Sequence, residues 1–272
     1  MKKKLKLIIW PIVYLVLIIN VCISFILVFR SYYFRSIFVS GSSMEPTLHG
    51  TTSDRVDYGI IDDHDSAINR IKRFQIITTY YPFQGSSDYV DVDGDGQGYE
   101  HGENNIIDEK EASYKIKRVY ALPGDTFEFA IDEEFEAIAL NLVNKGSDRF
   151  SPEVQYAASR AIQFKVNGKL ANINFKRRID PAKIKDYKNF NENHAPYKLA
   201  DDEYWVMGDN YAASSDCFTK AEPIYRDNIV GVLIAIEGTC KINIDIDSSS
   251  DVDGTKISYQ CKDRKRHFPT YY

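Results

Sequence analysis

A serine on a tight turn is the first residue in this chain that could carry covalent chemistry. Ser43 lies in the run Gly41-Ser42-Ser43-Met44-Glu45-Pro46-Thr47-Leu48, directly after a short predicted strand. Serine is common in turns, so this run alone is compatible with a nucleophile and with an ordinary turn residue. A serine acts as a nucleophile when a neighbouring base takes its proton. That base must come from elsewhere in the sequence.

The candidate base is a lysine on a predicted strand. Lys117 lies in the alternating run Tyr114–Tyr120, which leads into the turn Leu122-Pro123-Gly124-Asp125. Successive side chains of a strand point to opposite faces, so Lys117 and Arg118 must have different roles. A strand lysine is normally a surface residue, but desolvation lowers its pKa, and a neutral amine can accept a serine proton. The chain has five histidines, and none of them lies in a recognisable Ser-His-Asp context.

A third polar segment, Gly208–Asp216, follows the apolar strand that is predicted at Tyr204–Met207. It contains Asp209, Ser214 and Asp216, whose side chains could orient a lysine amine and close a loop over it. Gly-Asp-Asn is by itself a weak turn motif. The segment therefore becomes informative only together with the serine and lysine runs.

Short β-rich segments must position these side chains, because β-branched and aromatic residues recur along most of the chain. The predicted strands are Ser36–Ser40, Arg73–Pro82, Tyr114–Tyr120, Thr126–Phe129, Phe164–Leu170, Tyr204–Met207 and Ile229–Ile236. Within one of them, Asn167-Gly168 is typical of a hairpin turn. Only Pro152–Ile162 has a helical pattern. The sequence predicts a mainly β fold.

The N-terminal segment predicts a membrane anchor. The uncharged run Leu7–Phe29 has about 23 residues, which at about 1.5 Å per residue span a hydrocarbon core of about 30 Å. It leads into Arg30–Arg35, which offers no small-residue cleavage site, so we expect the segment to be retained. The lysines of residues 1–6 place the N-terminus in the cytoplasm, although the two arginines beyond the run weaken the charge bias. The rest of the chain is then expected outside the cytoplasmic membrane.

Composition excludes one class of partner and allows a disulfide. The formal net charge of -5 and a pI near 5.6 argue against a nucleic-acid partner, which requires a basic face. Outside the cytoplasm, cysteines can be oxidised. Cys240 and Cys261 lie symmetrically about the turn-forming segment Ser248–Gly254, so a simple hairpin sets them opposite each other. We predict a Cys240–Cys261 bond, and the alternatives are two free thiols or a bond of Cys217 with one of them.

An acidic run resembles a calcium loop. Asp91, Asp93 and Asp95 alternate in Asp91-Val92-Asp93-Gly94-Asp95-Gly96, as the first carboxylates of an EF-hand-type loop do. The twelfth position of such a loop should be Glu, but it is Gly102. A calcium site and a flexible acidic insertion both stay open as interpretations. Catalysis is expected to need no metal in either case.

Together, and in this order, the three polar runs resemble the bacterial type I signal peptidases. Gly41–Leu48 is similar to the nucleophile motif of that family, and Lys117-Arg118-Val119 with the following Leu-Pro-Gly-Asp is similar to its lysine motif. Met207-Gly208-Asp209-Asn210, followed by Ser214 and Asp216, is similar to its last motif. Three separate motifs plus an anchor make the resemblance specific.

The resemblance implies a fold and a division of the chain. It predicts a signal-peptidase-like all-β catalytic core with an inserted subdomain and one N-terminal transmembrane helix. The apparent insertions lie near residues 83–113 and 131–162. The predicted divisions are a cytoplasmic tail (1–6), a transmembrane anchor (7–29), an extracytoplasmic Ser/Lys protease domain (30–238), and a C-terminal hairpin and tail (239–272).

The resemblance also implies a role for each candidate residue. Ser43 would attack the scissile carbonyl, with its backbone N–H helping to hold the oxyanion, and Lys117 would be the general base. Among the supporting residues, Ser214 would orient the lysine amine and Arg118 would pair with Asp209. Asp216 would support the closing loop. The implied partners are membrane lipid and the signal peptides of exported preproteins. A signal peptide would bind as an added strand. It would be cut after small residues in an Ala-x-Ala pattern. No cofactor is required.

Several positions depart from the family pattern, among them Phe74-Gln75, which replaces a usual Gly-Asp pair. Gly41 stands where some members have a hydroxyl residue as a second oxyanion donor, and Tyr211 and Phe218 stand where arginines are usual. The last two changes affect the support of Asp216 and leave the dyad intact. Two alternative functions remain open, a processing protease of the same fold with a narrower dedicated client and an anchored calcium-binding β module.

Overall fold

The computed structural model of the chain describes residues 2–50, 55–80, 115–246 and 255–263. Its strands form two antiparallel sheets, and helices pack on them. The helices are α1 (Lys2–Tyr33), α2 (Asp65–Ile68), α3 (Glu133–Asn144), α4 (Pro152–Ala161), α5 (Ile184–His194) and α6 (Cys217–Lys220). The strands are β1 (Phe34–Phe38), β2 (Arg55–Asp62), β3 (Ile76–Thr79), β4 (Lys115–Ala121), β5 (Thr126–Ile131), β6 (Ile162–Val166), β7 (Lys169–Leu170), β8 (Tyr197–Lys198), β9 (Glu203–Met207), β10 (Ile224–Tyr225), β11 (Ile229–Ile246) and β12 (Thr255–Asp263).

Most of the predicted elements are confirmed. Each predicted strand overlaps an observed strand, and the helix predicted at Pro152–Ile162 is α4. Asn167 and Gly168 have φ angles of 51° and 76°, and they join β6 to β7. These left-handed values are what a two-residue hairpin turn requires. Local sequence patterns were therefore sufficient for these elements.

The prediction of a mainly β fold is only partly right. The described residues are about 35% helical and 32% strand, so the fold is mixed, with antiparallel sheets and helices. The sequence pattern predicts α4 but not α3 or α5. In α5 only Ile184, Tyr187 and Phe190 are buried, among eight mostly polar residues. So few apolar residues give only a weak helical pattern in the sequence. The helix nevertheless forms, because tertiary packing supplies most of a helix's stability.

The larger sheet holds β4 in its interior. Its order is β1-β2-β11-β3-β4-β9-β10, and β12 pairs with β11. In β4, Lys117 lies opposite Ile77 of β3, and Arg118 lies opposite Met207 of β9. Ile77 and Met207 are both buried. Lys117 and Arg118 thus lie on a strand in the interior of the sheet, each with a buried apolar residue opposite it.

Aromatic side chains join the smaller sheet to the larger one. The smaller sheet has the order β7-β6-β5-β8. Phe127 of β5 stacks on Phe164 of β6 at 5.2 Å between ring centroids, and it also contacts Trp205 of β9 at 4.7 Å. All three rings are fully buried. Their packing fixes the position of the two sheets relative to each other.

The segment 131–162, interpreted from the sequence as an insertion, contains the helix pair α3 and α4. Asp132 caps α3 by accepting hydrogen bonds from the backbone N–H groups of Glu134 and Phe135. Helix α4 begins at Pro152, and its alanines are buried. Both helix starts therefore carry standard N-terminal signals. The other apparent insertion, residues 83–113, lies outside the described residues, as do Asp91, Asp93 and Asp95 of the candidate calcium loop.

The N-terminal segment is the helix α1, which includes Pro11. Among the residues that the structure describes, no helix is long and apolar enough to cross a membrane. The transmembrane anchor at Leu7–Phe29 therefore stays a prediction.

The C-terminal hairpin confirms the predicted disulfide. β11 and β12 pair in antiparallel register with Cys240 opposite Cys261. Cys240 is disulfide-bonded, whereas Cys22 and Cys217 are free. Because the chain has four cysteines, Cys261 is the partner of Cys240.

Candidate active site

The turn that carries Ser43 is held by its own backbone and by two apolar side chains. The N–H of Glu45 donates to Ser42 O at 3.1 Å, and the N–H of Leu48 donates to Met44 O at 3.0 Å. Met44 and Leu48 are 1% and 3% exposed and belong to one buried cluster. Ser43 itself is only partly buried. The turn is thus anchored on both sides of a serine that a substrate can reach.

Lys117 is hydrogen-bonded to this serine. Its Nζ lies 2.9 Å from Ser43 Oγ, and the residue is 2% exposed. Desolvation lowers the pKa of Lys117 from its usual 10.5 to about 8. The negative charge of Asp216 partly opposes this effect, and the positive charge of Lys115 reinforces it. A pKa of about 8 leaves roughly a tenth of the amine neutral at pH 7, far more than an exposed lysine would have. A neutral amine at this distance can take the hydroxyl proton of the serine.

Arg118, the next residue of β4, forms a buried ion pair with Asp209. Its Nε and Nη2 donate to the two carboxylate oxygens at 2.8 Å and 2.6 Å, and the side chains are 5% and 0% exposed. Its Nη1 donates to Phe74 O at 2.7 Å, and its guanidinium lies 3.9 Å from the ring centroid of Phe175. Thr47 Oγ1 donates to the same carboxylate at 2.5 Å. The pair connects β4, the serine turn and the loop after β9.

Asn210 attaches the loop after β9 to the serine turn. Its backbone N–H donates to Ser43 O and its Nδ2 donates to Ser42 O, both at 2.9 Å. A side chain on Gly208 would overlap Ser43 O and the Ser214 side chain, so glycine is needed for this close approach. The sequence interpretation did not assign a role to Asn210. Its only sequence signal is its place in Gly-Asp-Asn, since an asparagine offers an amide donor beside a backbone donor.

Asp216 closes that loop. Its Oδ2 accepts the N–H of Gly208 at 2.9 Å, which joins the two ends of Gly208–Asp216. Its Oδ1 accepts the N–H groups of Phe218 and Thr219 and caps α6. Asp216 is 2% exposed, so the loop closes around a buried carboxylate that also acts on Lys117.

Ser214 lies at the site, but it has no hydrogen bond to Lys117. Its Oγ is buried and finds no hydrogen-bond partner among the described residues. It lies beside Gly208, within the loop that Asp216 closes. Its role in orienting the lysine amine therefore stays a prediction.

Aromatic packing occupies the two positions at which the resembled family usually has arginines. Tyr211 donates its hydroxyl hydrogen to Tyr120 Oη at 2.9 Å and stacks on Tyr187. Phe218 stacks on the same Tyr187 ring at 3.9 Å between centroids, with 7° between the planes. Burial raises the pKa of Tyr120, Tyr187 and Tyr211, so these phenols stay neutral. The closing loop is supported here by stacked rings.

The described part of the chain contains no group of three or more His, Cys, Asp or Glu side chains that could hold a metal ion. The site can nevertheless carry out acyl transfer with protein groups alone. Ser43 offers a hydroxyl that could act as a nucleophile, with an amine that could act as its base in contact, and backbone hydrogen bonds hold the turn on which it lies. Lys117, once protonated, can return the proton to a leaving amine.

Comparison with known proteins supports this interpretation. The family described as signal peptidase, peptidase S26, matches residues 12–236, which is well over half of the chain. No match was found among curated proteins. The matched region includes the serine turn, β4 and the loop after β9. The chain therefore belongs to the signal peptidase family, peptidase S26, and is a serine endopeptidase.

Proposed function

We propose that this peptidase removes N-terminal signal peptides from exported proteins with a Ser43–Lys117 dyad and cuts after small residues. The observation that carries the proposal is the 2.9 Å contact between Ser43 Oγ and the buried Nζ of Lys117. Lowering of the lysine pKa to about 8 provides the neutral base that the reaction needs. Family membership favours this protease over an anchored β module, and the family in general needs no cofactor.

In the proposed reaction, Ser43 Oγ attacks the scissile carbonyl while Lys117 takes the hydroxyl proton. The N–H of Ser43 stabilises the negative charge on the carbonyl oxygen. The protonated lysine then donates to the leaving amine, and an acyl-enzyme remains on Ser43. Water, deprotonated by Lys117, hydrolyses this ester and regenerates the dyad. Ser214 and Asp216 are the proposed supports of the lysine and of the closing loop.

The preference for small residues is supported by the apolar surroundings of Ser43. Partly buried Ile37 and Ile116 pack against the same cluster that holds Met44. These side chains add partly exposed apolar surface to the cluster on which the serine turn is anchored. An added substrate strand could place short apolar side chains there.

We expect the residue before the cut to control cleavage. A preprotein with an Ala-x-Ala site should lose about 100-fold or more in kcat/KM when the alanine next to the cut is changed to phenylalanine, because a shallow pocket cannot hold the ring. Mass spectrometry of the products gives the cut position and the rate. The control is the same change at the middle position, which should cost little. Equal cleavage after alanine and phenylalanine would reject the small-residue pocket, while cleavage of one dedicated substrate alone would favour the narrower client.

Cleavage should depend on pH through Lys117. Only the neutral amine accepts the serine proton, so kcat/KM should rise about tenfold per pH unit below the lysine pKa and level off above it. The change of slope is expected at about pH 8, where the pKa of Lys117 lies. A peptide substrate without titratable side chains removes the substrate's own ionisation from the profile. A rate that stays constant from pH 5 to pH 9 contradicts a lysine base.

We further propose that α1 anchors the protein as a single-pass helix, with the N-terminus inside and the catalytic domain outside. The family is membrane-associated. In support, many large apolar side chains of α1 between Trp10 and Val28 are exposed in the part of the chain that the structure describes, for example Val21 at 68%. The lysines of residues 2–6 lie at the end expected inside. The protein should stay in the pellet when membranes are washed with alkaline carbonate, and release into the supernatant would contradict the anchor.

A further inference from the structure

A groove of about 940 Å³ lies between helix α4, residues 171–178 and the serine turn. Pro46 forms part of its wall, and Phe150 and Tyr156 add aromatic surface. Neither the dyad nor the residues that support it line this groove. It is large enough to hold several residues of a peptide.

The charges that line the groove are all positive. Arg160, Lys176, Arg177 and Arg178 belong to its lining, which contains no Asp or Glu. The chain as a whole has a formal net charge of -5, so this surface differs in sign from the protein average. A concave surface lined by charges of one sign concentrates the electric field and attracts ligands of the opposite charge.

Only one of these cations is neutralised by a carboxylate in the described residues. Arg178 Nη1 donates to Glu45 Oε2 at 2.8 Å. Arg177 is buried and donates to two backbone carbonyls, those of Ile162 and Ser159. Arg160 is exposed and lies over the ring of Tyr156, and Lys176 is exposed. The groove therefore has a surplus of positive charge that a ligand can reach.

The groove is structurally connected to the catalytic serine. Pro46 is three residues after Ser43, so its Cα lies at most about 11 Å from that of Ser43. An extended substrate rises about 3.3 Å per residue and covers this distance in about three residues. The N–H of Arg178 donates to Asp209 O at 2.8 Å, and Arg178 pairs as a β-bridge with Asn210, which holds Ser43 O. A ligand in the groove thus lies within a few residues of the bond that is cut.

We propose that this groove binds an acidic segment of the substrate, three to six residues from the cleaved bond. The inference rests on the proposed function and adds a second determinant of substrate choice to the small residues at the cut. Carboxylates of the substrate would pair with Arg160 and Lys176, which are exposed, and its apolar groups would contact Phe150 and Tyr156. Charge-assisted hydrogen bonds from a guanidinium suit a carboxylate in geometry and strength.

The test compares peptides that share one Ala-x-Ala site and differ in charge nearby. One pair of peptides carries either glutamates or glutamines three to six positions before the cut. A second pair carries them three to six positions after the cut. On one of the two sides, the intact full-length protein should cleave the glutamate peptide about fivefold better in kcat/KM at low salt, and high salt should reduce this ratio. The Arg160→Gln/Lys176→Gln variant should bring the ratio close to one. The matched control, Lys145→Gln/Lys169→Gln, removes two exposed lysines outside the groove and should keep the ratio.

Charge reversal provides a second measurement. The Arg160→Glu/Lys176→Glu variant should prefer a lysine peptide over the glutamate peptide, which a merely structural role of these residues would not produce. The proposal is overturned if the unmodified protein shows a ratio near one on both sides of the cut, or if the glutamine double variant keeps the preference. If the glutamine double variant keeps the preference and instead loses binding to phosphatidylglycerol vesicles, the groove binds a lipid surface and not the substrate. If the unmodified protein cleaves neither peptide, the proposed function itself has failed.

Discussion

Replacing Ser43 by alanine should abolish cleavage of an Ala-x-Ala preprotein, with a loss of about a thousandfold or more, because no nucleophile remains. Lys117→Arg should be equally inactive, although it keeps the positive charge. A guanidinium stays protonated at any pH in the assay and cannot accept the serine proton. Lys117→Met removes the amine but keeps an apolar chain of similar length in the buried position, and it should be inactive too. The measurement is product formation over time by the full-length protein in detergent.

Matched variants separate loss of chemistry from loss of fold. Ser42→Ala removes the neighbouring hydroxyl, and Lys115→Arg changes a lysine two residues earlier on β4. Both should keep activity within a few-fold of the unmodified protein. The inactive variants should have the same circular dichroism spectrum and a similar unfolding midpoint. Substantial cleavage by the folded Lys117→Arg variant would show that Lys117 is not the base.

The second large effect is expected at Asp209. The Asp209→Ala variant should lower the free energy of unfolding by about 3–5 kcal/mol, because it leaves the guanidinium of Arg118 buried without its counter-charge. The pair is 5% and 0% exposed, so water cannot replace the lost carboxylate. Thr47 loses its hydrogen-bond acceptor at the same time. Urea denaturation of the full-length protein in detergent measures the change in stability, and activity should fall with it because Asn210 holds Ser43 O.

An exposed pair in the same protein provides the control for Asp209. Lys165 Nζ and Glu128 Oε1 lie 2.9 Å apart, and both side chains are 38% exposed. Glu128→Gln should therefore cost less than about 1 kcal/mol. Equal costs for Asp209→Ala and Glu128→Gln would mean that the Arg118–Asp209 pair does not hold the site together.

Much of the local structure was predictable because its causes are local in sequence. The Asn167-Gly168 hairpin depends on backbone conformations that these two residues adopt readily. The symmetry of Cys240 and Cys261 about a turn was sufficient to predict the hairpin register and the disulfide. By contrast, α5 forms on only three buried side chains, and its stability comes from the aromatic cluster that it covers. Packing partners distant in sequence are not visible in a local pattern.

For the candidate site, the sequence by itself determined which residues are the candidates for the chemistry. The types and order of Ser43, Lys117 and the Gly208–Asp216 segment were sufficient to predict a Ser/Lys arrangement and, through the family they indicate, a peptidase. Strand alternation also separated the tasks of Lys117 and Arg118, since adjacent side chains of a strand face opposite ways.

Only the tertiary structure decided whether those residues could function together. The 2.9 Å contact of Lys117 with Ser43 and the lowered lysine pKa arise because the folded chain brings the serine turn against β4 and buries the amine there. The hydrogen bonds of Asn210 and the stacking of Tyr211 and Phe218 on Tyr187 likewise join residues that are far apart in the chain. Desolvation and close packing depend on the whole set of surrounding atoms, and folding alone brings those atoms together.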